Sequence, residues 1–175
     1  RGNIENKKYI EKIKNLKNLP HAIENSLKTE ELIQIFAKDF LSAKGSMFLG
    51  RGSSFPIALE GALKLKELSY LHAEGYPAGE MKHGPLALIE DGLPVIILAP
   101  KDKYFEKTIS NMQEVIARGG KVLLISDKHD EVINENIRFK IEMPHVDELL
   151  NPFLLTVPLQ LLAYHVALLK KCDID

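Results

Sequence analysis

LPVIILAPKDKYFEKTISNMQEVIARGGKVLLIS, residues 93–126, decides the fold. It opens on a continuous apolar run, Leu93–Ala99, and closes on a second one, Lys121–Ser126 (KVLLIS). Between them, Lys103–Arg118 repeats apolar residues at helical spacing, and Gly119-Gly120 ends the pattern. An apolar strand without polar alternation is covered on both faces. Strand, helix and strand in that order therefore make one parallel βαβ unit.

The flanks extend the alternation. Upstream, Met47–Leu49 is a short strand signal, followed by the turn Gly50-Arg51-Gly52 and a helix from about Ser54 to Tyr70, with Pro56 in its first turn. Further upstream, Leu19-Pro20 starts a helix with Ile23, Leu27, Leu32, Ile35, Phe36 and Phe40 on its apolar face, broken or capped near Thr29-Glu30-Glu31. Residues 1–19 are polar with scattered apolar positions and read as a linker helix or tail. Gly75–Pro85 reads as a loop. Downstream lie a helical turn near Asp130–Asn134, a third strand over Arg138–Met143 and a long apolar helix. The whole is an α/β three-layer αβα sandwich with a parallel, flavodoxin-like sheet in one domain, residues 20–175.

Composition excludes several classes. The 175 residues are 45% hydrophobic and 27% charged, and 23 Lys+Arg face 24 Asp+Glu for a net charge of −1. No basic excess points to nucleic acid. The single cysteine, Cys172, rules out an internal disulfide and fits a reducing, cytoplasmic setting. Leu149–Leu169 carries no charge, but Pro152, Pro158 and the stripe Thr156, Gln160, Tyr164 make it a helix buried in protein rather than a membrane span. The histidines (His21, His72, His83, His129, His145, His165) are scattered without ligand spacing, so no metal is expected. The glycine turn is GRG rather than GxGxxG, so no dinucleotide or other cofactor is expected either.

Candidate chemistry lies between residues 47 and 85. Free N–H groups at the start of the helix behind Gly50–Gly52 would trap an anion beside Ser53 and Ser54. Along that helix Glu60, Lys64 and Glu67 sit at i, i+4 and i+7, a thin charged ridge on a mostly apolar rod. The ridge is either a surface ion pair or a general base held beside a cation, with Glu67 the best placed carboxylate. Glu67 lies roughly 20 Å along the axis from the anion turn, too far for one hexose phosphate to touch both. His83, in the glycine-rich AGEMKHGP, could move into place as an acid or base but also suits a plain surface position. His72 and Glu74 read as structural.

ALEGALKLKELSYLHAEGYPAGEMKHGPLALI (58–89) and HVDELLNPFLLTVPLQLLAYHVALLKKCDID (145–175) resemble the second sugar isomerase (SIS) domain of the glutamine–fructose-6-phosphate aminotransferase family. The runs EGALKLKE and GE-x-KHGPLAL are specific to it, and the likeness extends from about Leu19. The resemblance implies synthesis of glucosamine 6-phosphate from fructose 6-phosphate and glutamine-derived ammonia. It implies that Glu67 moves the proton between C1 and C2, that His83 helps open the sugar ring from the partner subunit, and that Glu60 and Lys64 belong to the same site. It implies a homodimer, with apolar helices as the expected interface. It also puts the substrate phosphate mainly on serines and threonines of a first isomerase domain, which leaves Ser53 and Ser54 weak candidates. The family's glutaminase domain, its first isomerase domain and the Gln-Pro-Arg-Asn-Leu-Ala-Lys tail with the Schiff-base lysine are not in these 175 residues. The chain alone is expected to be inactive. The alternative is a non-catalytic sugar-phosphate-sensing module of a regulator.

Overall fold

The structure, a computed structural model, describes residues 5–127, 137 and 139–174. Among them five strands form one parallel sheet: β1 (Gly45–Gly50), β2 (His72–Pro77), β3 (Pro94–Leu98), β4 (Lys121–Ser126) and β5 (Phe139–Glu142), in the order β2-β1-β3-β4-β5. β1 lies in register with β2 from Gly45↔His72 to Gly50↔Pro77 and with β3 at Met47↔Val95. The parallel α/β expectation therefore holds.

Alternate residues of each strand feed two separate cores. Phe48, Ile96, Leu98, Leu123 and Ile125 point to one face, where α1 (Asn6–Leu27), α2 (Glu30–Ala37), α3 (Ser54–Ser69) and α5 (Asn151–Lys170) pack. Met47, Leu49, Val95, Ile97, Val122 and Leu124 point to the other, covered by α4 (Phe105–Ala117) and by the tight turns of residues 78–88. This is the two-faced burial that continuous apolar strands require. α5 is long and apolar enough to cross a membrane by composition. Here its Leu154, Leu155, Leu159, Leu162 and Val166 are buried, against α3 above all.

Three boundaries differ from the reading of the sequence. Gly75–Pro85 is not one loop: residues 72–77 form the edge strand β2, and 3-10 turns follow over Ala78–His83 and Pro85–Leu88. An edge strand pairs on one side only, so a polar, glycine-containing sequence can fill it. The N-terminal helix does not begin at Leu19-Pro20 but runs unbroken from Asn6 through Pro20 to Leu27. Proline removes one helical N–H there, while Lys12, Ile13, Asn15, Leu19, Ala22, Ile23 and Ser26 line the helix's less exposed side. Of the strand expected over Arg138–Met143, the described residues form it over Phe139–Glu142, and Met143 lies beyond its end. The turn near Asp130–Asn134 and His129 lie outside the described residues.

Candidate functional site

α3 runs antiparallel to the strands it covers. It starts beside Gly50 at the C-terminal end of β1 and ends at Ser69, just before β2 begins at His72. Tyr70 caps it in the left-handed region (φ 57°), its N–H donating to the Lys66 carbonyl, and this turns the chain into β2. Ala58, Gly61, Ala62 and Leu65 are buried against β1 and α5.

The opposite side of α3 carries the charged ridge. Lys64 Nζ lies 2.8 Å from Glu67 Oε2 and 3.9 Å from Glu60 Oε1, so one ammonium serves two carboxylates. The hydrogen bond and charge of Glu67, with a smaller contribution from Glu60, raise the Lys64 pKa above its ordinary value against a small opposing desolvation. The ammonium stays protonated at neutral pH and holds Glu67 in place. The three side chains are between one-third and one-half exposed, flanked by the exposed Leu59 and Leu63. The sequence placed these groups together correctly, and in one copy of the chain they stand on an open face.

His83 is elsewhere. β2 climbs from the Glu67 end of the sheet to Pro77 at the other, and the turn bearing His83 follows. α3 packs on one face of the sheet and the turn bearing His83 on the other, so Glu67 and His83 of one chain belong to opposite faces. The turn itself is anchored: Ala78 and Met81 are buried, and Lys82 Nζ pairs with Glu114 Oε1 of α4 at 3.0 Å. His83 points outward, about three-quarters exposed, with Glu80 Oε2 3.9 Å away.

The turn at Gly50–Ser54 is not the open anion trap that its sequence suggests. The Ser54 N–H donates to the Arg51 carbonyl, the Phe55 N–H to the Gly52 carbonyl, and Pro56 has none. Those backbone donors are spent within the turn. Ser53 is exposed and makes no capping bond, and Ser54 Oγ is buried without a hydrogen-bond partner among the described residues.

Sequence reading passed over one network. His72, Glu74 and Tyr76 alternate along β2 and so share a face. The Tyr76 hydroxyl donates to Glu74, which lies 3.4 Å from His72 Nε2. That bond, then burial, pushes the Tyr76 hydroxyl pKa up. The i, i+2, i+4 spacing in HAEGY was the available signal. His72 and Glu74 are side chains of the edge strand β2. Among the described residues no cluster of three or more His, Cys, Asp or Glu could hold a metal.

The chain is 47% identical over its whole length to the glutamine–fructose-6-phosphate aminotransferase (isomerizing) of Bartonella quintana, and 52% identical over 91% of its length to that of Escherichia coli K12. It spans 29% and 26% of those proteins. A solved C-terminal domain of glucosamine-fructose-6-phosphate aminotransferase from Francisella tularensis superposes with a TM-score of 0.94 at 42% identity, matching 98% of this chain and 48% of that one. A Thermotoga maritima structure titled glucosamine-6-phosphate deaminase superposes at 0.65 with 27% identity, over 93% of this chain and 45% of that one. The SIS domain model matches residues 39–170, and the chain belongs to the SIS domain family.

Proposed function

We propose that this chain is the C-terminal isomerase domain of a cytoplasmic, homodimeric glutamine–fructose-6-phosphate aminotransferase, and that its own share of the work is ketose–aldose isomerisation of the hexose phosphate. The observation that carries the reading is the ridge on α3, where Lys64 holds the Glu67 carboxylate at 2.8 Å on an accessible face. Moving a proton between adjacent carbons of an acyclic sugar needs one carboxylate that can take it from C1 and return it at C2. Glu67 is that group. Lys64 orients it, and Glu60 balances the cation. His83 transfers a proton at the ring oxygen as the sugar opens. Its outward-facing place on the other face of the sheet from the ridge supports delivery to the ridge of a second copy, which makes the homodimer part of the site rather than an accessory.

Because the chain spans under a third of the length of the aminotransferases it resembles, the ammonia, the phosphate grip and the Schiff-base lysine are assigned in this reading to the other domains. Ser53 and Ser54 are left a minor role at most, consistent with the spent donors of their turn. No observation favours the regulator reading, since the relatives above at 47–52% identity are aminotransferases.

The test is Glu67→Gln in the full-length enzyme. Isomerisation of fructose 6-phosphate should fall by about 10²-fold or more, the usual range for a lost general base, while glutamine hydrolysis is nearly unchanged. Equal loss of both activities would make Glu67 a structural residue and end the reading.

A further inference from the structure

Arg51 stands at the C-terminal end of β1, one turn ahead of α3, and its guanidinium is held on two sides. The ring of Tyr104 lies on one side, 5.6 Å from the Arg51 Cζ to its centroid. The backbone of Gly79 lies on the other: a methyl group there would come within 2.8 Å of Arg51 Nη1 and 3.1 Å of Cζ. Tyr104 is itself fixed. Its N–H donates to Asp102 Oδ1 at 2.7 Å, and its ring closes over Gly52, where φ is +58° and a Cβ would meet the ring at 2.5 Å. Gly79 is the second residue of the turn Ala78–His83. Among the described residues the guanidinium makes no ion pair. Its contacts are a cation–π contact with the Tyr104 ring, which Lys103 Nζ also approaches at 5.0 Å, and close packing of the planar guanidinium on Gly79, which the compact ammonium of a lysine would not reproduce.

We infer that Arg51 is a positioning residue for His83: it wedges the Gly79 end of the turn against Tyr104, while Lys82–Glu114 holds the other end to α4. The two holds fix the turn's body and leave the imidazole facing out. A histidine that must reach a sugar bound on another copy gains from this, because proton transfer requires placement within hydrogen-bond reach and a turn free to swing would spend most of its time elsewhere. The inference rests on the proposed role of His83. It adds a residue that touches no substrate and acts only through that turn.

The full-length enzyme tests it with five variants: Arg51→Ala, Arg51→Lys, Gly79→Ala, His83→Gln and the double variant Arg51→Ala/His83→Gln. The expected result is a fall of about tenfold in kcat for sugar isomerisation in both Arg51 variants and in Gly79→Ala. KM for fructose 6-phosphate should stay within about twofold, and glutamine hydrolysis should be retained. The double variant should be no slower than His83→Gln alone, since a residue that acts through His83 has nothing left to position. Amide NMR shifts in Arg51→Ala should move in residues 79–84 and not in β3 or β4. A rise in KM with kcat preserved, full activity in Arg51→Lys, or additive losses in the double variant would overturn the inference. If His83→Gln itself isomerises normally, the reading of His83 fails first, and the inference falls with it.

Discussion

At the residue scale the ridge is the most legible feature of this protein. Glu60, Lys64 and Glu67 were placed together by helical spacing alone, and that spacing fixes which side chains can meet before any packing is considered. Spacing could not tell that Lys64 binds Glu67 at 2.8 Å more closely than Glu60 at 3.9 Å, because rotamers on an open face are chosen by local crowding. The raised pKa of Lys64 means its charge is held through neutral pH and lost only above the ordinary lysine range. Any stabilisation from the pair is present below that range and disappears as pH rises through it. An exposed pair stabilises little, so Lys64→Met should leave the melting temperature nearly unchanged. Its effect should appear in catalysis instead, as a fall of about tenfold or more in kcat for isomerisation. A kcat left unchanged would show that the ridge is only a surface ion pair.

At the element scale, what the sequence showed and what it hid follow burial. β3, β4 and α4 were readable because each strand is buried on both faces and the helix on one, so their periods are uninterrupted. β2 was not. It is an edge strand with His72, Glu74 and Tyr76 on one face and small residues on the other, and it carries Gly75 and ends in Pro77. Its strand character comes from pairing with β1 rather than from its own composition. The N-terminal half of α1 was hidden for a related reason. Its hold on the body includes one tether, Lys12 Nζ to the Asp147 carboxylate at 3.1 Å, across 135 positions of sequence. Asp147 also caps the turn leading into α5 by accepting from the Leu149 N–H, and that bond, with Lys12, lowers its pKa. A lowered folded pKa stabilises the fold above the ordinary aspartate range, and the effect is lost as pH falls below about 4. Asp147→Ala should therefore cost about 1 kcal/mol at pH 7 in urea unfolding, with the gap to the unmodified protein closing as pH falls below about 4. A gap that stays constant with pH would assign the loss to something other than the carboxylate.

At the scale of the whole molecule, the sheet direction decides how a site can be assembled. Parallel strands send α3 back down one face, so its last turn, with Glu67, ends where β2 begins. The turn that follows β2 then carries His83 onto the other face, where Ala78 and Met81 join the second core. In the proposed dimer, two chains related by a two-fold axis bring two such pairs together. The arrangement has a consequence that a site built within one chain would not share. Full-length Glu67→Gln and His83→Gln enzymes are each expected to be inactive in isomerisation. A mixed dimer of the two would hold one site with both groups replaced and one with both intact. Random reassembly makes half the dimers mixed, so unfolding and refolding an equimolar mixture should restore about a quarter of the normal isomerase activity. Each variant refolded alone should restore none. If the mixture stays as inactive as its components while gel filtration shows that mixed dimers have formed, Glu67 and His83 serve the same chain, and the path between the two faces of the sheet must be closed in some other way.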